Sequence, residues 1–204
     1  MTLPSAISPS FHAAFRFAAA KHGGQTRKGK SVPYIAHLMS VSSIVLEAGG
    51  DEDCAIAALL HDVVEDCGGM PVLHEVRERF GAKVAHIVEG CTDSFTDPKP
   101  PWRQRKEDYL ARLQTEDQET RLVSASDKLD NARSILLDYR DVGETLWQRF
   151  QGGREGALWY YRALSNEFNR QSTSRIAAEL ERVVSEMERV TAGGSTKPEP
   201  VSQE

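Results

Sequence analysis

Four ionisable residues directly after an apolar segment give the first indication of chemistry in this sequence. His61, Asp62, Glu65 and Asp66 follow residues 54–60, which are all apolar. Such a segment predicts a helix that is buried on every side. Unpaired charges beside it would lose several kcal/mol of solvation, and a divalent cation removes that conflict because it binds both carboxylates and neutral imidazole. The simpler alternative, an exposed final turn with solvated acids, is disfavoured by the doubled acid pair.

Two further residues could complete a metal site. His37 lies on the apolar face of a predicted helix, so its side chain should point into the core. A lone histidine there is more often an ordinary core residue, but a second histidine on the next helix favours metal ligation. Asp127 lies one turn before Asn131 on a later helix, with a solvated helix acid as the alternative. Asp130 is expected either to be exposed or to support the ligands.

Helices must position these residues, because apolar residues recur at helical spacing and no segment alternates with period two. The predicted helices cover residues 11–21, 34–48, 51–66, 72–80, 82–91, 102–113, 117–137, 143–150, 155–169 and 173–190. A basic loop with several glycines, residues 22–33, separates the first two. The sequence therefore predicts one all-α bundle-like domain over residues 1–190. Residues 191–204 are rich in Gly, Ser, Pro and Glu, which predicts a disordered tail.

The composition limits the possible partners and the location of the protein. A net charge of −5 gives no global basic surface for a nucleic acid polymer. No apolar run approaches the roughly 20 residues of a membrane span, and the first residues do not resemble a secretory signal. Cys54, Cys67 and Cys91 are odd in number and form no CxxC pair, which favours reduced thiols in the cytoplasm. The last helices could pack against a second copy of the chain.

Short sequence blocks resemble a known family. His37, the pair His61-Asp62, and Asp127 match the H…HD…D signature of the HD phosphohydrolase superfamily. A narrower resemblance is to the hydrolase domain of RelA/SpoT proteins. It is carried by AAKH at 19–22, RKG at 27–29, PYIAH at 33–37, AALLHDVVED at 57–66, FGAKV at 80–84 and DKLDN at 127–131. The resemblance covers about residues 11–170, so we expect an HD-domain helical bundle of roughly ten helices that acts as a stand-alone small alarmone hydrolase.

The resemblance implies a role for each matching residue. The implied ligands of one metal ion, normally Mn²⁺, are His37, His61, Asp62 and Asp127. The implied catalytic acids are Glu65 and Asp66, and the implied substrate contacts are Arg27, Lys28 and Asn131. The implied reaction is hydrolysis of the 3′-pyrophosphate of ppGpp or pppGpp to GDP or GTP and pyrophosphate. Ser124, Ser126 and Cys67 depart from the family pattern without removing a ligand.

Two other functions remain open from the sequence. The same metal chemistry could serve another nucleotide, such as an adenosine alarmone, a 5′-nucleotide, or NADPH hydrolysed at its 2′-phosphate. Alternatively, the domain could bind a nucleotide as a non-catalytic sensor, although such a domain would be expected to lose a ligand or an acid.

The basic loop of residues 22–33 could instead be a solvated surface loop. Fe²⁺ and Zn²⁺ also suit a mixed nitrogen and oxygen donor set.

Overall fold

The fold is entirely helical over the residues that the computed structural model describes, which are 7–95, 98–171 and 174–193. These residues form ten α-helices, one 3-10 helix and no β-strand, which confirms the predicted all-α class. The helices are α1 (Pro9–Lys21), α2 (Ile35–Glu47), α3 (Glu52–Leu60), α4 (Val63–Cys67), α5 (Met70–Phe80), α6 (Ala82–Cys91), α7 (Trp102–Leu113), α8 (Gln118–Val142), the 3-10 helix (Gly143–Arg149), α9 (Gly153–Gln171) and α10 (Arg175–Ala192). Helix α10 thus reaches into the predicted tail, whose residues 194–204 lie outside the described residues.

Two apolar cores meet along α8. One core is built from α1 to α6 and takes Val123 from α8. The other is built mainly from α7, α9 and α10 and takes Leu129 and Ala132 from α8. Leu122 packs against both cores. Helix α8 therefore contributes buried side chains to both cores.

Helix α3 is buried along its apolar length, as its sequence predicts. Each residue from 54 to 60 is at most 2% exposed, and the Asp51 side chain caps the helix by accepting a hydrogen bond from the backbone N–H of Cys54. The prediction of one helix over 51–66 is wrong, because regular helix stops at Leu60 and resumes at Val63. At the break, Nδ1 of the His61 side chain lies 2.8 Å from the carbonyl oxygen of Ala58.

Helix α8 is longer than its apolar pattern indicated. It begins after Asp117, which accepts a hydrogen bond from the backbone N–H of Thr120, and it continues five residues past the predicted end at Leu137 to Val142. Gly143 then ends it in the left-handed region, at φ 59°. Its last turns are polar and partly exposed, so the apolar periodicity stops before the helix ends.

Close packing of α6 on α8 at Gly90 gives a test of the fold. A Cβ atom at Gly90 would lie 2.5 Å from Cγ2 of the fully buried Thr120. Alanine normally stabilises a helix by about 0.8–1.0 kcal/mol relative to glycine. We expect Gly90→Ala instead to lower the free energy of unfolding by about 1–3 kcal/mol, because the core is overpacked. Denaturant unfolding monitored by circular dichroism measures this change.

The matched background for this test is Thr120→Ser. Serine lacks Cγ2 but keeps the hydroxyl group, so it relieves the clash without removing the polar atom. Gly90→Ala should cost clearly less free energy of unfolding in the Thr120→Ser protein than in the wild type. An equal cost in both backgrounds would show that α6 and α8 are not in close contact at this point.

Candidate active site

The four predicted metal ligands converge where α3 ends. His37 comes from α2, His61 and Asp62 lie at the break after α3, and Asp127 comes from α8. Ligand atoms of His37, His61 and Asp127 all lie within 4.8 Å of one another. Asp62 Oδ2 is 2.9 Å from Nε2 of His61 and 3.7 Å from Nε2 of His37. Three segments far apart in the chain therefore supply one compact set of nitrogen and oxygen donors.

Both imidazole rings direct an unpartnered nitrogen into this cluster. The Nδ1 atom of His61 lies 2.8 Å from the carbonyl oxygen of Ala58, and the Nδ1 atom of His37 lies 2.6 Å from Oδ2 of Asp130. Because carbonyl and carboxylate oxygens only accept, each neutral ring carries its proton on Nδ1 and a lone pair on Nε2. Both Nε2 atoms are buried and make no hydrogen bond. A cation bound by these lone pairs satisfies them.

The electrostatics of the cluster favour added positive charge. Burial acts to lower the pKa of His61, but the charges of Asp62 and Asp127 hold it well above its ordinary value. Burial acts to raise the pKa of Asp127, yet Lys128 and His61 hold it well below its ordinary value. The Lys128 ammonium lies 2.5 Å from Oδ2 of Asp127, while Oδ1 faces the two histidines at 3.2 and 3.5 Å. Two imidazoles and two carboxylates in this arrangement suit one divalent cation.

Tyr34 donates a hydrogen bond to one carboxylate of the donor cluster, that of Asp62. Its hydroxyl donates a hydrogen bond of 2.5 Å to Oδ2 of Asp62, and its ring stacks on His22 with centroids 5.0 Å apart. The residue immediately precedes α2 and lies three residues before His37. No contact was predicted for Tyr34 from the sequence, although its spacing from His37 places it within one turn of a predicted ligand.

The predicted acid pair lies beside the cluster on the separate helix α4. Glu65 accepts a hydrogen bond of 2.8 Å from Lys99, and Asp66 accepts one of 2.8 Å from Gln25. Burial, with the charge of Asp93, raises the pKa of Glu65 above its ordinary value despite Lys99. Burial also raises the pKa of Asp66. Both carboxyl groups therefore hold a proton more readily than exposed acids do.

The predicted substrate contacts divide into two groups. Arg27 donates a hydrogen bond of 2.9 Å to Oδ1 of Asn131, and the Asn131 amide donates one of 2.5 Å to Oδ1 of Asp127. These two side chains therefore border the donor cluster. Lys28 instead places its ammonium over the ring of Phe150, 5.7 Å from the centroid. It lies on the outer side of the basic loop.

Three charged residues to which the sequence analysis gave no definite role contact the predicted site. Lys128 pairs with Asp127, Asp130 pairs with His37, and Lys99 pairs with Glu65. The first two lie within the segment 127–131, so their helical spacing from Asp127 carried a signal. Lys99 lies in the proline-rich connection before α7, where no periodic pattern indicates which way a side chain points.

Comparison with known proteins places the chain in a family. The HD domain family matches residues 14–158, which is most of the chain, and this chain belongs to that family. Among curated relatives, the Xenopus tropicalis protein MESH1, named a guanosine-3′,5′-bis(diphosphate) 3′-pyrophosphohydrolase, is 40% identical over 125 residues, which cover 60% of this chain and 67% of that protein. An Aquifex aeolicus protein with the same enzyme name is 38% identical over 124 residues, 61% of this chain and 17% of its own length.

Solved structures agree with this family. A structure described as a metazoan ortholog of SpoT that hydrolyzes ppGpp superposes with a TM-score of 0.72 and 30% identity over 93% of this chain and 98% of that chain. A Listeria monocytogenes protein superposes with a TM-score of 0.65 and 26% identity, over 76% and 99% of the two chains. None of the helices in the described part of the chain has the length and apolar character needed to span a membrane.

The unpartnered histidine nitrogens predict that a divalent cation stabilises the fold. At a Mn²⁺ concentration about 100 times its Kd, binding adds about 2.7 kcal/mol to the free energy of unfolding. Thermal unfolding with Mn²⁺ and with a chelator should show the corresponding rise in Tm. Asp62→Ala should abolish this rise, whereas Asp141→Ala, an exposed acid on α8, should preserve it. An equal rise in both variants would argue against a cation at the cluster.

Proposed function

We propose that this protein hydrolyses the 3′-pyrophosphate of guanosine alarmones, converting ppGpp to GDP, or pppGpp to GTP, with release of pyrophosphate. The observation that carries the proposal is the donor cluster with its two unpartnered Nε2 atoms, placed beside the acid pair Glu65 and Asp66. The enzyme name shared by the Xenopus tropicalis and Aquifex aeolicus relatives supports the substrate. The chain corresponds to about two thirds of the first protein and a sixth of the second.

The proposed cation is a single Mn²⁺ ion. His37 and His61 would hold it through Nε2, and Asp62 and Asp127 would hold it through carboxylate oxygens. When bound, it would supply the Lewis acidity that phosphoryl transfer to water requires. The mixed donor set supports Mn²⁺, and Fe²⁺ or Zn²⁺ would find the same ligands acceptable.

Glu65 and Asp66 would move the protons of the reaction. Glu65 is half-buried and Asp66 is exposed, and both carboxyl groups have a raised pKa. In its ionised form, one carboxylate would accept a proton from the attacking water. In its protonated form, the other would donate a proton to the departing oxygen. The pair therefore suits a reaction in which one proton leaves a nucleophile and one is needed by a leaving group.

Cationic side chains around the acid pair would bind the phosphate groups. Arg27 lies at one side of the donor cluster, and Lys99 and Arg105 approach Glu65 from another at 2.8 and 4.0 Å. Arg27 can contact two phosphate oxygens at once because its guanidinium group is planar. This local positive charge would allow a protein of net charge −5 to bind a polyanionic nucleotide. Lys28 would contribute after moving from the Phe150 ring.

A cytoplasmic location is part of the proposal. Cys54, Cys67 and Cys91 are all free thiols, and burial raises the pKa of Cys67 to about 11. Unpaired cysteines of low reactivity suit a reducing compartment. Association with a second copy of the chain stays a prediction from the sequence.

The first experiment measures pyrophosphate release from ppGpp by the purified protein, with Mn²⁺ and with a chelator. We expect turnover that depends on Mn²⁺, because the proposed reaction uses a cation held by His37, His61, Asp62 and Asp127. NADPH and an adenosine alarmone are assayed in parallel. Turnover of either compound without turnover of ppGpp would replace the proposed substrate and retain the metal chemistry. Binding of ppGpp without any turnover would favour the sensor.

If Glu65 is a catalytic acid, its replacement should impair catalysis without impairing metal binding. Glu65→Gln should lower kcat by about 100-fold to 10,000-fold, because it removes a proton-transfer group. It should leave Mn²⁺ affinity nearly unchanged, since Glu65 lies outside the donor cluster. The matched control is Glu107→Gln, an exposed glutamate on α7 paired with Arg103, which should keep full activity. Steady-state kinetics and Mn²⁺ titration check both quantities. Full activity in Glu65→Gln would show that Glu65 has no catalytic role.

A further inference from the structure

Asp130 lies on the Nδ1 side of His37, away from the Nε2 atom that faces the other proposed ligands. It contacts the donor cluster through His37. Its Oδ2 atom is 2.6 Å from Nδ1 of His37, whose side chain is completely buried. Its other carboxylate oxygen, Oδ1, accepts a hydrogen bond from the hydroxyl of Ser40, one turn further along α2. Asp130 thus joins α8 to α2 at the place where α2 supplies its ligand.

The contact with Asp130 determines which nitrogen of the neutral His37 ring keeps the lone pair that can bind a cation. A carboxylate can only accept, so its partner Nδ1 carries a proton and the neutral ring keeps its lone pair on Nε2. Two hydrogen bonds, from His37 and from Ser40, fix the carboxylate itself in place. Without Asp130, the ring could rotate or move its proton to Nε2, where Asp127 Oδ1 lies 3.2 Å away and would accept it.

The same carboxylate also faces the basic loop. The Arg27 guanidinium lies 3.8 Å from Oδ2 of Asp130, the oxygen that contacts His37. Arg27 is additionally bonded to Asn131, which donates to Asp127. Two short chains of contacts therefore connect this arginine of the loop to two of the proposed metal ligands.

We propose that Asp130 is a positioning residue for the metal site: it fixes the Nδ1–H tautomer and the ring plane of His37, and it holds Arg27 next to the metal ligands. The inference rests on the proposed metal site but not on the proposed substrate. Hydrogen-bond partners behind metal-binding histidines typically change metal affinity or activity by about 10- to 100-fold when they are removed.

The test is a titration of metal-free protein with Mn²⁺, which needs no substrate. Asp130→Ala should weaken Mn²⁺ affinity by about 10- to 100-fold. Asp130→Asn should lose less, because the amide oxygen can still accept from Nδ1 of His37. Asp138→Asn is the matched control, since Asp138 lies on the same helix and binds Lys30 of the same loop without contacting the cluster. Its Mn²⁺ affinity should equal that of the wild type.

Ser40 provides a second, independent variant. Ser40→Ala should weaken Mn²⁺ affinity in the wild type, because the carboxylate loses one of its two anchors. It should have no further effect in Asp130→Ala, because there is then no carboxylate to hold. Additive losses in this double-mutant cycle would overturn the proposal, and the cycle remains informative if Asp130→Ala is less stable.

Nitrogen-15 NMR of labelled histidine in metal-free protein reports the tautomer directly. We expect the neutral His37 ring to carry its proton on Nδ1 in the wild type and in Asp130→Asn, and to populate the Nε2–H form in Asp130→Ala. Unchanged Mn²⁺ affinity and tautomer in Asp130→Ala would refute the positioning role. A wild type that binds no Mn²⁺ would refute the metal site as well. A wild type that binds Mn²⁺ but does not hydrolyse ppGpp would affect only the proposed substrate.

Discussion

The need to balance negative charge in a buried place is the constraint on which this structure depends. Asp62 and Asp127 face the Nε2 atoms of His37 and His61, whose side chains are almost completely buried. Lys128 compensates one of the two carboxylates, and Tyr34 and Asn131 supply neutral hydrogen bonds. When both imidazoles are neutral, one negative charge and two nitrogen lone pairs remain uncompensated. A divalent cation would neutralise the remaining charge and bind both lone pairs. An ion pair such as those on the surface would only neutralise the charge.

The architecture follows from bringing these groups together from distant parts of the chain. His37 is held by α2 and Asp127 by α8, and the two helices pack against each other and against α3. Glu65 and Asp66 lie on the short helix α4, just after the proposed ligands His61 and Asp62. Residues 61 and 62 keep right-handed helical backbone angles, and the N–H of Asp66 bonds the carbonyl of Asp62, so the acids stay close to helical spacing from these ligands. On α4, Glu65 contacts Lys99 and Asp66 contacts Gln25.

Periodicity predicted most of the helices and placed His37 in the core, whereas the full set of proposed ligands needed the family resemblance as well. His37 could be placed in the core because apolar residues recur on its face of α2, and family resemblance then linked it to His61 and Asp127. Periodicity could not reveal the break at His61 because the apolar pattern runs on through Val63 and Val64. It also could not reveal the contact of Lys99 with Glu65, because Lys99 lies before α7 in a segment without periodic pattern.

In the proposed mechanism, the charges around Glu65 would connect substrate binding to proton transfer. In the free protein Lys99 is paired with Glu65, and this ammonium acts to lower the pKa of the carboxyl group against the effect of burial. A phosphate group that attracted Lys99 would weaken this pair. Burial and the charge of Asp93 would then raise the pKa of Glu65 further, and the carboxyl group would hold a proton more firmly. The proton needed by a leaving oxygen would thus become available when a polyanion occupies the site, which is the condition under which hydrolysis requires it.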